Sequence, residues 1–106
     1  MPRRRYSLVY DEAVIVHVRA IEKRFHSVIR DTVKERLSLT PAIETRNRKP
    51  LLRPSALAPA WELRFGPQNR FRVFYRVDDE RHAVRVLAIG EKRRSGLYVG
   101  GRKFDL

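Results

Sequence analysis

Two short segments with a period of two, separated by a turn, constrain this chain more than any other feature. They run Ala60-Trp61-Glu62-Leu63-Arg64-Phe65, then Gly66-Pro67-Gln68-Asn69, then Arg70-Phe71-Arg72-Val73-Phe74-Tyr75. Successive side chains of a strand point to opposite faces, so Trp61, Leu63 and Phe65 share one face, and Phe71, Val73 and Tyr75 share one face of the next strand. Arg64 and Arg72 then point the other way. The pattern predicts a hairpin with a greasy side and a cationic side.

Upstream, Tyr6, Leu8 and Tyr10 alternate with Arg5, Ser7 and Val9, which reads as a short strand stopped by Asp11. Asp11-Glu12 suits a helix start, because carboxylates favour the free amides and the positive end of the dipole. Val14, Val18, Ile21 and Phe25 recur at helical spacing, predicting a first helix to about Phe25. Ser27 can cap a second helix that buries Val28 or Ile29, Val33 and Leu37; one bent helix is the competing reading. Thr40-Pro41 ends the helical region, since proline disfavours helix before it and has no amide hydrogen to donate.

Residues 41–60 contain four prolines and no clear periodicity, and carry the basic residues Arg46, Arg48, Lys49 and Arg53 with no acid between Thr45 and Arg53. This long connection predicts a positive lip, tacked to the core by Leu51 and Leu52. Asp78-Asp79-Glu80 marks a turn, Ala83 to Ile89 alternates as a strand, and Gly90 ends it. The basic, then apolar, tail from Glu91 to Gly101 reads as a loop docking back on the sheet.

The chain has 106 residues, enough for a single domain with one core. Its 24 Lys and Arg residues outnumber 12 Asp and Glu, a formal net charge of +12 that draws polyanions or an acidic protein partner. The absence of cysteine excludes disulfides, thiolate catalysis and cysteine-based zinc sites. His17, His26 and His82 show no ligand spacing, so neither a metal nor another cofactor is expected, and no histidine is assigned to catalysis. No apolar run approaches the ~18 residues of a membrane span, and Pro2-Arg3-Arg4-Arg5 leads into a strand pattern instead of a signal-peptide core. The expectation is a soluble, cytoplasmic protein.

Three segments in this order, Trp61-Glu62-Leu63-Arg64, Phe71-Arg72-Val73-Phe74-Tyr75, and Val86-Leu87-Ala88-Ile89-Gly90-Glu91-Lys92 with Tyr98 beyond, resemble the RelE/ParE superfamily of type II toxins. The resemblance covers essentially the whole chain. It implies an α+β domain: an N-terminal strand, a helical hairpin, then a three-stranded antiparallel meander, with the helices packed on one face of the sheet. In the RelE branch it implies a metal-independent endoribonuclease that cuts messenger RNA on the ribosome and is silenced by a cognate antitoxin. DNA would be met only through a toxin–antitoxin repressor complex. The ParE branch instead implies a toxin that blocks DNA gyrase, and a catalytically silent antitoxin-binding module is a third possibility.

RNA carries its own nucleophile, the 2′-hydroxyl; cutting it requires a proton acceptor, charge stabilisation at phosphorus and a proton donor for the leaving oxygen. Arginine suits the middle task, because its planar fork can donate two hydrogen bonds to one phosphate. By the resemblance, Arg64 and Arg72 match the family's catalytic basic residues, and Lys92 stands near the proposed general acid, with Arg94 as a second candidate. Tyr98 matches a C-terminal aromatic that stacks on a base or joins proton transfer; docking with Leu97 and Val99 is its bland alternative. Glu62 replaces a lysine of the best-studied branch. Between Arg64 and Arg72, its carboxylate suits charge pairing better than proton abstraction, and Lys49 is the other candidate base or a phosphate contact. Arg46, Arg48, Lys49, Arg53 and Arg94 are the expected RNA-contacting cations, with a mobile charged loop as the alternative for those between residues 41 and 60.

Overall fold

The computed structural model describes residues 4–51, 57 and 59–104. Strand β1 (Ser7–Tyr10) leads into helices α1 (Ala13–Arg19) and α2 (His26–Leu37), joined through a 3₁₀ turn at Lys23–Phe25. Six strands follow among the described residues: β2 (Arg48–Pro50), β3 (Trp61–Phe65), β4 (Phe71–Asp78), β5 (Ala83–Arg93), β6 (Gly96–Val99) and β7 (Arg102–Lys103). They form one sheet in the order β2-β3-β4-β5-β6-β7 with antiparallel neighbours, and β1 adds to β5 in parallel. The helices pack on one face, so the α+β architecture read from the sequence holds.

Several boundaries differ from those read in the sequence. The first helix ends at Arg19, and the apolar stripe continues to Phe25 through the 3₁₀ turn. The second begins at His26 with Phe25 at the cap position, so Ser27 lies inside it and caps nothing. The meander is also larger than three strands. Strand β2 forms inside the supposed loop, β5 runs through Gly90 to Arg93, and the tail folds into β6 and β7. Of these additions β2 and β7 are short strands at the two ends of the sheet and β6 lies between β5 and β7; each is too short for alternation alone to mark it.

Both faces of the sheet carry core. Val14, Ile21, Ile29, Val33 and Leu37 from the helices meet Leu63, Phe65, Phe71, Val73, Tyr75, Val84, Val86 and Ile89. On the far face, Phe74, Ala88 and Leu97 cluster with Leu51, Leu57, Val99 and Phe104. Where Phe74 pairs with Ala88 and Tyr75 with Val86, Leu87 is the extra residue of a bulge. Strand β1 pairs with β5 at Ala83–Val86 and β6 pairs with it at Gly90–Arg93; between these stretches the Ile89 amide donates to Nδ1 of His17 on α1, 3.3 Å away.

Arg48 ties the connection to the helices. It is 5% exposed, and its Nη2 donates to the Arg36 carbonyl at 2.7 Å, while Nη1 donates to the carbonyls of Thr40 and Ile43. The last carbonyls of a helix have no internal partner and sit at the negative end of its dipole, so a buried guanidinium there caps α2. The expectation that Arg48 contacts RNA is therefore corrected: alternation along β2 turns it inward, toward the helices. Arg53 and Leu52 lie outside the described residues.

Candidate functional site

The site is built on the sheet face away from the helices. Glu62 and Arg64 are two residues apart on β3, and Arg64 is the direct cross-strand partner of Arg72 on β4. Like charges directly opposite one another repel. Glu62 offsets that repulsion: Arg64 Nε donates to Oε1 at 3.1 Å, and Arg72 Nη1 lies 3.5 Å from Oε2. Arg72 Nε also donates to the Asn69 carbonyl at 3.1 Å. That carbonyl is aimed by the tight turn, where Gly66 has φ 84° and Gln68 and Asn69 each have φ 55°, a left-handed conformation that asparagine tolerates better than most residues.

The two arginines differ in freedom. The Arg64 side chain is 48% exposed and the Arg72 side chain 12%, so Arg64 can swing while Arg72 is fixed by its anchors. Burial, then the Arg64 charge, lowers the Arg72 pKa from its ordinary value, and Glu62 opposes both. Each anchored guanidinium keeps terminal nitrogens beyond those contacts, which suits recognition of a phosphodiester.

The surroundings extend the positive field. Lys49 pairs across β2–β3 with Glu62, and Arg46, Asn47, Lys49, Glu62 and Arg64 line a cleft of about 170 Å³. On the other side Arg72 pairs with Gly90, so Lys92, two residues along β5, projects on the same face; its amide donates to the Arg70 carbonyl at 2.7 Å. Arg94 is exposed in the turn after β5 and lines, with Lys92 and Arg93, a second cleft of about 520 Å³.

Tyr98 does not join this cluster. Its cross-strand partner is Glu91, whereas Lys92 pairs with Leu97, so alternation sends Tyr98 to the helix side of the sheet. There its hydroxyl meets Ser95 Oγ at 2.6 Å and the Arg93 guanidinium lies 4.8 Å from the ring centroid. The expected grouping of Tyr98 with Arg64 and Arg72 is corrected for that reason: the tail is a hairpin strand with a register, and its parity is opposite to that required.

Sequence reasoning also missed the anchors. The Asn69 carbonyl leaves no side-chain signature. Glu91 is buried and holds Arg70 by two contacts, at 2.6 Å to Nε and 2.5 Å to Nη2, with Arg93 at 3.4 Å. Arg70 also reaches Glu22 at 3.5 Å and lies over the Phe25 ring, which locks the hairpin turn to the helical layer. An acid following Gly90 was the available signal. Among the described residues, no group of three His, Asp or Glu converges as a metal site would require, and no helix is long and apolar enough to cross a membrane.

Comparison with known proteins bears on this geometry. The family model described as the ParE toxin of type II toxin–antitoxin system, parDE, matches residues 17–96, which include Glu62, Arg64, Arg72 and Lys92 and stop short of Tyr98. No curated protein matches. Among solved structures, a chain of the toxin–antitoxin complex RelBE2 from Mycobacterium tuberculosis aligns with TM-score 0.69 and 24% identity over 85% of this chain and 94% of that one. The isolated RelE toxin of E. coli aligns with TM-score 0.58 and 20% identity over 84% and 86%. A chain of the archaeal RelE–RelB complex from Pyrococcus horikoshii gives 0.55 and 17% over 84% and 97%. At these identities the likeness is one of fold. The family match and the shared fold together show that the chain belongs to the ParE toxin family of type II toxin–antitoxin systems, within the RelE/ParE superfamily.

Proposed function

We propose that this toxin is an endoribonuclease that cuts messenger RNA engaged on the ribosome, without a metal, by attack of the 2′-hydroxyl on its own phosphodiester. The observation that carries the proposal is the direct pairing of Arg64 with Arg72 on one sheet face, both steadied by Glu62. Two guanidiniums so close form a preorganised clamp for a phosphate whose charge grows in the transition state. Lys49 and Arg46 on one side and Lys92 on the other extend the track for the backbone; Arg94 adds to it beyond Lys92. Tyr98, on the other side of the sheet, is left out of the reaction. A cognate antitoxin restrains the activity, in keeping with the complexes among the structural neighbours, and brings the toxin to DNA only as part of a repressor assembly.

The test is cleavage of translated messenger RNA by the purified chain, with cuts mapped by primer extension. Arg72→Ala should slow cutting by at least ~10², the scale of removing one preorganised charge-stabilising donor. Circular dichroism checks that the variant keeps its fold. A second reading, a toxin that blocks DNA gyrase without cutting nucleic acid, is favoured by one observation: the family model that matches is that of ParE. Intact transcripts together with failed supercoiling would select it.

A further inference from the structure

Among the described residues, β2, β7 and β1 each pair with a single strand and so leave one edge open. An open edge carries unpaired amides and carbonyls that can template another strand, and proteins guard it with charge or proline. Strand β2 contains Lys49 and Pro50, and its Arg48 amide bonds back to the Thr45 carbonyl; β7 consists of Arg102 and Lys103, both exposed. Strand β1 has no such guard. It reads Ser7-Leu8-Val9-Tyr10, without charge, proline or bulge, and Val9 and Tyr10 are 45% and 44% exposed. The neighbouring Arg5 guanidinium is turned toward the end of α2, where it donates to Ser38 Oγ at 3.0 Å.

The Ser7 and Asp11 amides donate to the His82 and Val86 carbonyls, so alternation turns the amides and carbonyls of Leu8 and Tyr10 to the outer edge. No turn or loop of the described residues bonds to them there. We propose that this edge is a self-association surface: two copies of the chain pair their β1 strands antiparallel, about a two-fold axis at Val9, and join their sheets into one. In that register Leu8 of each copy stands opposite Tyr10 of the other, and the two exchange main-chain hydrogen bonds. The Val9 side chains meet at the axis, in a non-hydrogen-bonded pair, where side chains on facing strands come closest. Each exposed Tyr10 then covers the Leu8 of the other copy.

Charge selects a second copy over an acidic partner. At a net charge of +12 two copies repel over most of their surface. Beside β1, however, α2 presents Arg30, Asp31, Lys34 and Glu35, two charges of each sign, along a groove of about 920 Å³ that Leu8 and Tyr10 also line. An antiparallel copy carries the same row in reverse and can set opposite signs together, whereas an acidic segment meets repulsion as well as attraction there. Asp11, which follows the strand, is already paired with Arg85 at 3.3 Å. The edge is therefore self-complementary, as a closed two-fold interface requires. Strand β5 separates it from Arg72 on β4 and Arg64 on β3, so that face of each copy stays open and the pairing does not depend on RNA cleavage.

Sedimentation velocity of the full chain over a range of concentrations tests the pairing. The parent should show a monomer–dimer equilibrium with a Kd of ~1–100 μM, since an edge pairing buries less than a standard interface. Val9→Lys and Val9→Glu each set like charges against one another at the axis and should weaken self-association by at least ~10-fold, yet an equimolar mixture of the two should form the mixed dimer, where those charges have opposite sign. Ile43→Lys adds the same charge at an exposed residue outside β1 and α2 and should leave the association unchanged. A parent that stays monomeric at ~100 μM, a mixture that does not associate, or an Ile43→Lys protein weakened as much as Val9→Lys would overturn the proposal. Hydrogen exchange in the parent reads the edge without any substitution, and decides if the Val9 variants do not fold: the Leu8 and Tyr10 amides should gain protection as concentration rises, and fast exchange at every concentration refutes the pairing. If those amides gain protection only with an antitoxin bound, the edge belongs to that partner and the proposal fails.

Discussion

Replacing Arg48 by methionine tests whether the basic connection is built for the fold or for RNA. Methionine keeps an unbranched stem and removes every donor, so the carbonyls of Arg36, Thr40 and Ile43 lose their guanidinium together. Each such bond contributes on the order of 1 kcal/mol net, and a buried acceptor left bare costs more than that, so the change should destabilise by about 3 kcal/mol. With a urea m-value of about 1.5 kcal/mol/M, the midpoint should fall by about 2 M at constant m. In a thermal melt the same loss corresponds to at least ~10 °C for a domain of this size. The adjacent Lys49 is exposed and points to the other face, so Lys49→Ala should leave stability within about 0.5 kcal/mol and affect only RNA binding. Urea titrations of the two variants followed by circular dichroism decide the matter. An Arg48→Met protein as stable as the parent, but unable to bind RNA, would refute the capping account.

Two further perturbations read the site's scaffold. A Cβ at Gly90 would stand 2.9 Å from the Tyr98 carbonyl oxygen and 3.0 Å from Leu97 and Val99 side-chain atoms, so Gly90→Ala should cost about 1–3 kcal/mol by overpacking, visible as a lowered melting midpoint and as amide shifts along β6. The pKa of His17 is lowered chiefly by burial, with Asp11 opposing, and its Nδ1 must stay unprotonated to accept the Ile89 amide. Because the folded pKa lies below the unfolded one, this contribution is present above the ordinary value of 6.5 and is lost as pH falls through the folded value. Urea midpoints should therefore drop from neutral to acidic pH more steeply in the parent than in His17→Gln, which accepts the same amide without titrating; equal slopes would contradict the assignment.

Much of this molecule was legible as a sequence because the informative positions follow a local period. Alternation in residues 60–75 put Leu63, Phe65, Phe71 and Val73 in the core and Arg64 beside Arg72, since a paired hairpin has few ways to satisfy both faces. What it could not supply were facts set by distant pairing. Arg48 reads as one more surface cation until β2 pairs with β3 and turns it toward the end of α2. Tyr98 sits at a plausible distance along the chain, yet the register of β5 with β6 gives it the wrong parity. The contact between the Asn69 carbonyl and Arg72 involves main chain, which composition and spacing do not record.

The chemistry of the cut ends tests the central claim most directly. Messenger RNA engaged on ribosomes should, after exposure to the purified toxin, carry 2′,3′-cyclic phosphate and 5′-hydroxyl termini at the mapped sites, and Arg72→Ala should yield neither. Termini bearing a 5′-phosphate, or transcripts left whole by the parent protein, would contradict a reaction driven by the 2′-hydroxyl and gripped by Arg64 and Arg72.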